Sequence, residues 1–384
     1  MPLRFRSLVS VATLVAPLAS TVPFTLHAQV TGFVSTLGTD TLFVERFTRS
    51  GMTGEGVLLR RAPLATITHY SIALNADGSV ARFSQVTTKA DGSPLATGSV
   101  PLVMTFSGDS VMREIQQNGA AVTLRSAVPR GTMPAFGASN VFAQQMIQLA
   151  KAGRDVHTIG FGAQATASKA DIRMISSDSV EIVNGGFRTG YRVHTDGRIA
   201  RGDGSLTTQK FVVTPWTSVN IDAIAAAWAA RDAAGQSMGA ASSRDTLVAT
   251  VGSAHITLDY GRPAMRGREI WGTLVPMDTT WRFGANAAAQ FRTDKTLVIG
   301  GTPIDAGFYT LWLYPSSGQS LLIVNAQTGQ WGTAYDSKKD VARIAIEKLA
   351  PRTKSDERFT VTIEGDRMLM TWDRSGYVVS IKEK

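Results

Sequence analysis

Between Val30 and Pro215 the apolar residues alternate over short runs that Gly, Asn and Asp keep interrupting, as in TLFVERF at 41–47 and YSIAL at 70–74. A period of two with frequent turns is met by pleated strands, so this half of the chain reads as an antiparallel sheet built of hairpins. One signature recurs: TDTLFVE from 39, GDSVMRE from 108, SDSVEIV from 177 and RDTLVAT from 244 each place an Asp and a hydroxyl residue just ahead of a strand. A second echo joins YSIALNADGSVAR, from Tyr70 to Arg82, to YRVHTDGRIAR, from Tyr191 to Arg201. In both, an Asp-Gly pair offers the positive φ of a tight hairpin turn.

Two helices are expected within this β pattern. Ser139 is placed to cap one that runs through Val141, Met146, Ile147 and Ala150 and stops at Gly153. A second covers IDAIAAAWAARDAA, ahead of the small, polar stretch GQSMGAASS at 235–243, which reads as a flexible linker open to proteolysis between Gly235 and Asp245. A sheet curled around a helix, the half-barrel arrangement of envelope lipid carriers, is the architecture suggested by analogy.

The first residues follow another logic. Arg4 and Arg6 precede an apolar run from Leu8 to Leu18, and small Ala28 follows Leu26-His27. Basic, apolar, then small is the order of a secretory signal peptide, with cleavage expected after Ala28 and an exported, periplasmic or extracellular product. The apolar run is shorter than the roughly 20 residues that span a bilayer, and no later stretch reaches that length. The expected organisation is thus signal peptide 1–28, antiparallel β domain 29–215, helix and linker 216–243, and a second β domain 244–384. Formal charge is +9, and losing Arg4 and Arg6 lowers it by two, to +7, with no basic stripe interleaved with aromatics. Nucleic acid is therefore not an expected partner.

From His255 the chain reads HITLDYGRPAMRGREIWGTLVPMDTTWRFGANAAAQF, then VIGGTPIDAGFYTLWLYP from 298, and the alternation, turns and paired aromatics suggest a β-sandwich or jelly-roll. Tyr260, Arg262, Pro263, Gly267, Arg268, Gly272, Leu274, Val275 and Pro276, then WRFGAN at 281–286, resemble the pattern of DUF2911, a bacterial family of unknown function. The resemblance continues through Ala306, Gly307, Tyr309, Pro315, Asn325, Trp331, Gly332, Tyr335, Asp340 and Arg343 to the closing TWDRSGYVVSI. Where the family usually carries an acidic residue after the Asn, this chain has Ala287 and Ala288 behind Asn286. The family implies a domain and supplies no reaction.

No nucleophile-elbow serine, phosphate loop or His pair at metal spacing is present, so neither a catalytic residue, a metal nor a cofactor is assigned. GFGAQA at 160–165 stands outside any βαβ unit and does not read as a dinucleotide loop. His69, His157, His194 and His255 are scattered, and Arg201-Gly202-Asp203 reads as a turn between hairpin strands. What remains as a candidate ligand site is Arg262, Arg268, Trp281, Arg282, Asn286, Tyr309, Tyr335, Asp340 and Arg343. Guanidinium forks suit carboxylate or phosphate, and aromatic faces stack on sugars or rings. The same residues have a structural alternative, with Arg282 pairing with Asp340 inside the sandwich. The first expectation is an exported binding or interaction protein for a small ligand, glycan or lipid. A hydrolase-type enzyme centred on Arg282, Asn286 and Asp340, or a purely structural role, are the alternatives.

Overall fold

The computed structural model describes residues 29–384, apart from 118, 185–186, 205–209, 217 and 241. The expected signal peptide lies outside the described residues. The fold is mainly β, as the alternation requires. Each recurrent Asp-hydroxyl signature leads into or lies within the first residues of a strand: Asp40–Ser50, Ser110–Gln117, Ser179–Asn184 and Ser242–Val251. Both Asp-Gly pairs turn hairpins in the same way, with the Gly78 and Gly197 N–H groups each donating 2.9 Å to the carbonyl three residues back. Arg201-Gly202-Asp203 proves to be the end of the strand Ile199–Asp203, because the turn is completed earlier, at Asp196-Gly197.

Residues 29–215 form one 13-stranded antiparallel sheet. In its interior the first strand, Gln29–Leu37, pairs with Asp40–Ser50 on one side and Phe211–Pro215 on the other, with seven strands on the first side and five on the second. Hairpins run outward from it to Ala120–Ala127 and to Asp171–Ser176. Laid flat, the strands carrying Val111 and Ile182 would stand ten intervals of about 4.8 Å apart, roughly 48 Å. Yet both residues belong to a single apolar cluster with Val141, Phe142 and Ile147. The sheet therefore curls around the helix that carries those three residues.

That helix, α1 (Asn140–Lys151), is capped by Ser139, whose side chain accepts from the Phe142 N–H. The second helix, α2 (Ile221–Ala233), is capped by Asn220 and packs Ile221, Ala225 and Trp228 against Val44, Leu59, Ala65 and Ile67 on the opposite, outer face of the sheet. A short three-stranded sheet of Met133–Pro134, His157–Ile159 and Ser168–Lys169 completes this half.

Residues 242–384 form an 11-stranded sheet that is nearly closed, like a barrel. The closing element is Ser375–Glu383, which pairs along its length with Arg367–Asp373, with Glu347 and Lys348, and with Leu297–Ile299. Inside, Phe359 meets Tyr260, Trp281, Phe283 and Trp372, in three cases edge to face. The two sheets touch where the hairpin turn at Gly38–Asp40 rests on residues 265–268. Arg266 donates 3.0 Å to Asp40, which also receives Arg61 at 3.4 Å, and Lys210 reaches the Thr273 carbonyl. A Cβ on Gly38 would stand 2.1 Å from the Arg266 carbonyl oxygen, so only glycine permits this approach.

Candidate functional site

The nine candidate residues of the C-terminal sheet do not converge in one patch. Trp281 enters the core, where it is 8% exposed and stacked 6.0 Å from Trp372, whereas the neighbouring Arg282 side chain lies against Gly332. Arg262 clasps Asp245 at 2.7 Å and Thr360 at 2.9 Å, and Arg268 donates to the carbonyls of Met265 and Ala264 at 2.9 and 2.6 Å. The Tyr309 hydroxyl donates to the Asp305 carbonyl, 3.1 Å away. These four hold the fold.

The other five lie along one flank, linked by the segment 331–335. Asp340 opens the strand Asp340–Lys348 directly opposite Asn325. Its carboxylate accepts from Asn325 at 2.8 Å, Tyr335 at 2.6 Å and Arg343 at 2.9 Å. Its cationic partner is thus Arg343 and not Arg282, because Arg343 is three residues along the same strand and already within reach. Burial, reinforced by the Asp340 carboxylate, pushes the Tyr335 phenol up to about 12. With three donors on it, the Asp340 carboxylate is committed to structure.

Arg282 is part-buried, and that burial lowers its guanidinium below the ordinary value. Asn286 is exposed with φ 64°, and its carbonyl accepts from the Gly332 N–H at 2.9 Å. A Cβ on Gly332 would stand 2.5 Å from both the Arg282 Cδ and the Asn286 oxygen, so the two loops interlock through backbone.

The N-terminal sheet holds two arrangements that the sequence reading did not single out. The first is Glu45, 1% exposed on the inner face beside the start of α1. One carboxylate oxygen accepts from Tyr70 at 2.7 Å and from Ser139, and the other from the backbone N–H groups of Asn140 at 2.8 Å and Val141 at 3.2 Å. Helix N-termini favour a negative group, but burial dominates here and raises the carboxyl above its ordinary range despite the four donors. The signal was present in Phe43-x-Glu45-x-Phe47, a charge in an apolar register. The second arrangement is a cleft of about 270 Å³ between the turn at 78–80, residues 130–133, α1 and residues 154–155. Its floor is Val80, Met133 and Leu149, and Arg130 and Arg154 stand exposed at its rim. Asp155, also on the rim, is paired with Lys169 at 2.7 Å, which holds its carboxyl below the usual range.

Comparison with known proteins finds a family match for the C-terminal segment alone. The C-terminal segment matches DUF2911. That family is described as a protein of unknown function, and the match covers residues 242–381. It begins at the strand Ser242–Val251 and takes in all five flank residues of the DUF2911 segment. No curated protein matches the chain. Among solved structures, a DUF1089 family protein from Pseudomonas aeruginosa is similar at 14% identity, covering 42% of this chain and 90% of its own, with a TM-score of 0.30. A β-barrel-like DUF1849 protein from Brucella abortus is similar at 14% identity, covering 49% and 93%, with a TM-score of 0.29. Likeness at this level carries no argument. Among the described residues, no helix is long and apolar enough to cross a membrane, and no group of three or more His, Asp or Glu is placed to hold a metal ion.

Proposed function

We propose that this chain is an exported, non-enzymatic binding protein whose N-terminal sheet takes a small anionic ligand with an apolar portion. The observation that carries this reading is the cleft at α1, which joins an apolar floor to two exposed guanidinium groups. A concave site with few convergent polar groups is the usual form of a small-ligand pocket, and planar guanidinium forks match carboxylate or phosphate. The committed state of Asp340, the carboxylate of the competing hydrolase reading, supports binding over catalysis. Export is supported by the order of basic, apolar and small residues before Gln29.

The test is a thermal-shift titration with hexanoate, hexyl phosphate and hexanol, since a ligand that binds only the folded chain raises its melting temperature. The two anions should stabilise the wild type in a saturable way, hexanol should not, and Arg130→Ala/Arg154→Ala should abolish the response. Equal responses in wild type and double variant would refute the site. Intact mass of the envelope-derived protein should begin at Gln29, and a full-length mass would refute export with cleavage.

A further inference from the structure

The inner face of the N-terminal sheet contains a buried cation that the cleft does not use. Arg113 is 1% exposed, on the strand Ser110–Gln117, between the inward apolar residues Val111 and Ile115. Its guanidinium donates to the carbonyls of Gly160, at 3.2 Å, and Gly162, and to the Ser126 hydroxyl at 2.8 Å, while its Nε has no hydrogen-bond partner. All three acceptors are neutral, and no salt bridge to Arg113 is formed among the described residues. Buried charges normally persist in proteins because they are paired. A permanently charged side chain with an unused N–H, deep in an apolar interior, is the kind of group that needs an explanation beyond packing.

Two further observations say what the explanation is. Arg113 interrupts an apolar row: cross-strand pairing sets Ile72 beside Phe83, Phe83 beside Met104, Met104 beside Arg113, and Arg113 beside Leu124. Phe83 in that row is covered by Phe136 and by Phe142 of α1, 5.5 and 5.4 Å away, and by the GFGAQA segment, a strap from Gly160 to Ala165 whose one aromatic side chain, Phe161, rests 6.0 Å from the Phe83 ring. Two strap carbonyls, those of Gly160 and Gly162, are held to the sheet by Arg113. A carboxylate or phosphate makes charge-assisted bonds to a guanidinium roughly twice as strong as those of a neutral carbonyl.

We infer that Arg113 is the receptor for the head group of an anionic amphiphile, which displaces the 160–165 strap and lays its apolar chain along Met104 and Phe83 in the place of Phe161. The chemistry is a single negative head on an alkyl chain, with carboxylate and phosphate monoester as its two forms. The residues involved are distinct from those of the cleft, so the two sites fail or succeed separately.

The probes are dodecanoate and dodecyl phosphate below their micellar concentrations, with dodecanol and inorganic phosphate as controls. Titration calorimetry reads affinity. The chain has no cysteine, so a fluorophore on Gln164→Cys, exposed on the strap, reads displacement without altering Arg113. Expected results are saturable binding of both amphiphiles with a change in label emission, and at least tenfold weaker binding of dodecanol. In the affinity read by the strap label, Arg113→Met should lose at least tenfold, Arg113→Lys less, and Arg130→Ala/Arg154→Ala, which touches only the cleft, should stay within twofold of wild type. Wild-type affinity in Arg113→Met overturns the inference, and loss only in the Arg130/Arg154 variant overturns it while upholding the cleft. Unchanged label emission at saturation overturns it whether or not the Arg113 variants fold. Inorganic phosphate binding as tightly as dodecyl phosphate removes the apolar chain from the reading and overturns it as well.

Discussion

Replacing Glu45 with Ala would remove the acceptor that joins the curled sheet to the first turn of α1. Two backbone N–H groups, of Asn140 and Val141, and two hydroxyls, of Tyr70 and Ser139, lose their shared partner. The hydroxyls can rotate towards one another, but the N–H groups are fixed by the helix. Each buried donor left unsatisfied costs about 1–3 kcal/mol, so the loss is about 2–6 kcal/mol. Relief from burying an ionised carboxylate offsets part of it, leaving about 3 kcal/mol. Since about 1.4 kcal/mol corresponds to a factor of ten, the amides of α1 should exchange with deuterium about 100-fold faster, with a lower denaturation midpoint. Glu45→Gln separates the charge from the shape. The wild-type carboxyl is raised from its ordinary 4.5 by burial, so its stabilising contribution is complete below that value and is lost as pH rises through the folded-state pKa. The advantage of wild type over Glu45→Gln should therefore be greatest near pH 4, the unfolded-state range, and shrink towards neutrality. Unchanged α1 exchange in Glu45→Ala, or an advantage that grows with pH, would refute the reasoning.

Three further outcomes follow from the geometry. Phe359→Ala should cost about 3–5 kcal/mol, as large-to-small changes at buried aromatics do, seen as a lower denaturant midpoint by tryptophan fluorescence. Because Tyr335 is raised from 10.0 to about 12, its contribution is complete below pH about 10 and lost as pH rises towards about 12. Tyr335→Phe should flatten that alkaline loss and delete one late step from the phenolate absorbance titration. Asp40→Ala removes the acceptor of Arg266 at the contact between the sheets, a pair with side chains 8% and 27% exposed, and should speed limited proteolysis between Gly235 and Asp245 several-fold at about 1 kcal/mol.

The strands and both helices were legible because their signals are local. The alternation at 41–47, the Asp-Gly turns, the Ser139 cap and the helix-forming run IDAIAAAWAARDAA act over a few residues and need no knowledge of the partner strand. The candidate site was legible in part: Asn286, Arg282, Tyr335, Asp340 and Arg343 share a flank, but their hydrogen bonds depend on loops approaching through Gly332, and a glycine's missing side chain does not say what comes near it. Glu45 and Arg113 lay in plain view as charges at inward positions of apolar runs. Their importance emerges only once the sheet is seen to curl, because a flat sheet would leave that face to solvent. The cleft combines a hairpin turn, a helix and two loops distant in sequence, and no local pattern announces it.

The placement of Gln29–Leu37 in the interior of the large sheet bears on how the chain reaches its native state. Its pairing with Asp40–Ser50 closes a two-residue turn, whereas its other edge waits for Phe211–Pro215. Both wings consist of neighbouring hairpins that form quickly, but they unite across one ladder of very large sequence separation, the kind of contact that slows folding. Until residues 211–215 arrive, that strand presents an open edge carrying Phe33 and Val34, a template for pairing with another chain. A chain emerging from a ribosome or a translocation pore would hold that edge bare for the time needed to produce about 175 further residues. Substitutions at Val212 or Val213 that weaken the last ladder should accordingly raise aggregation during refolding more than they lower the stability of the finished protein.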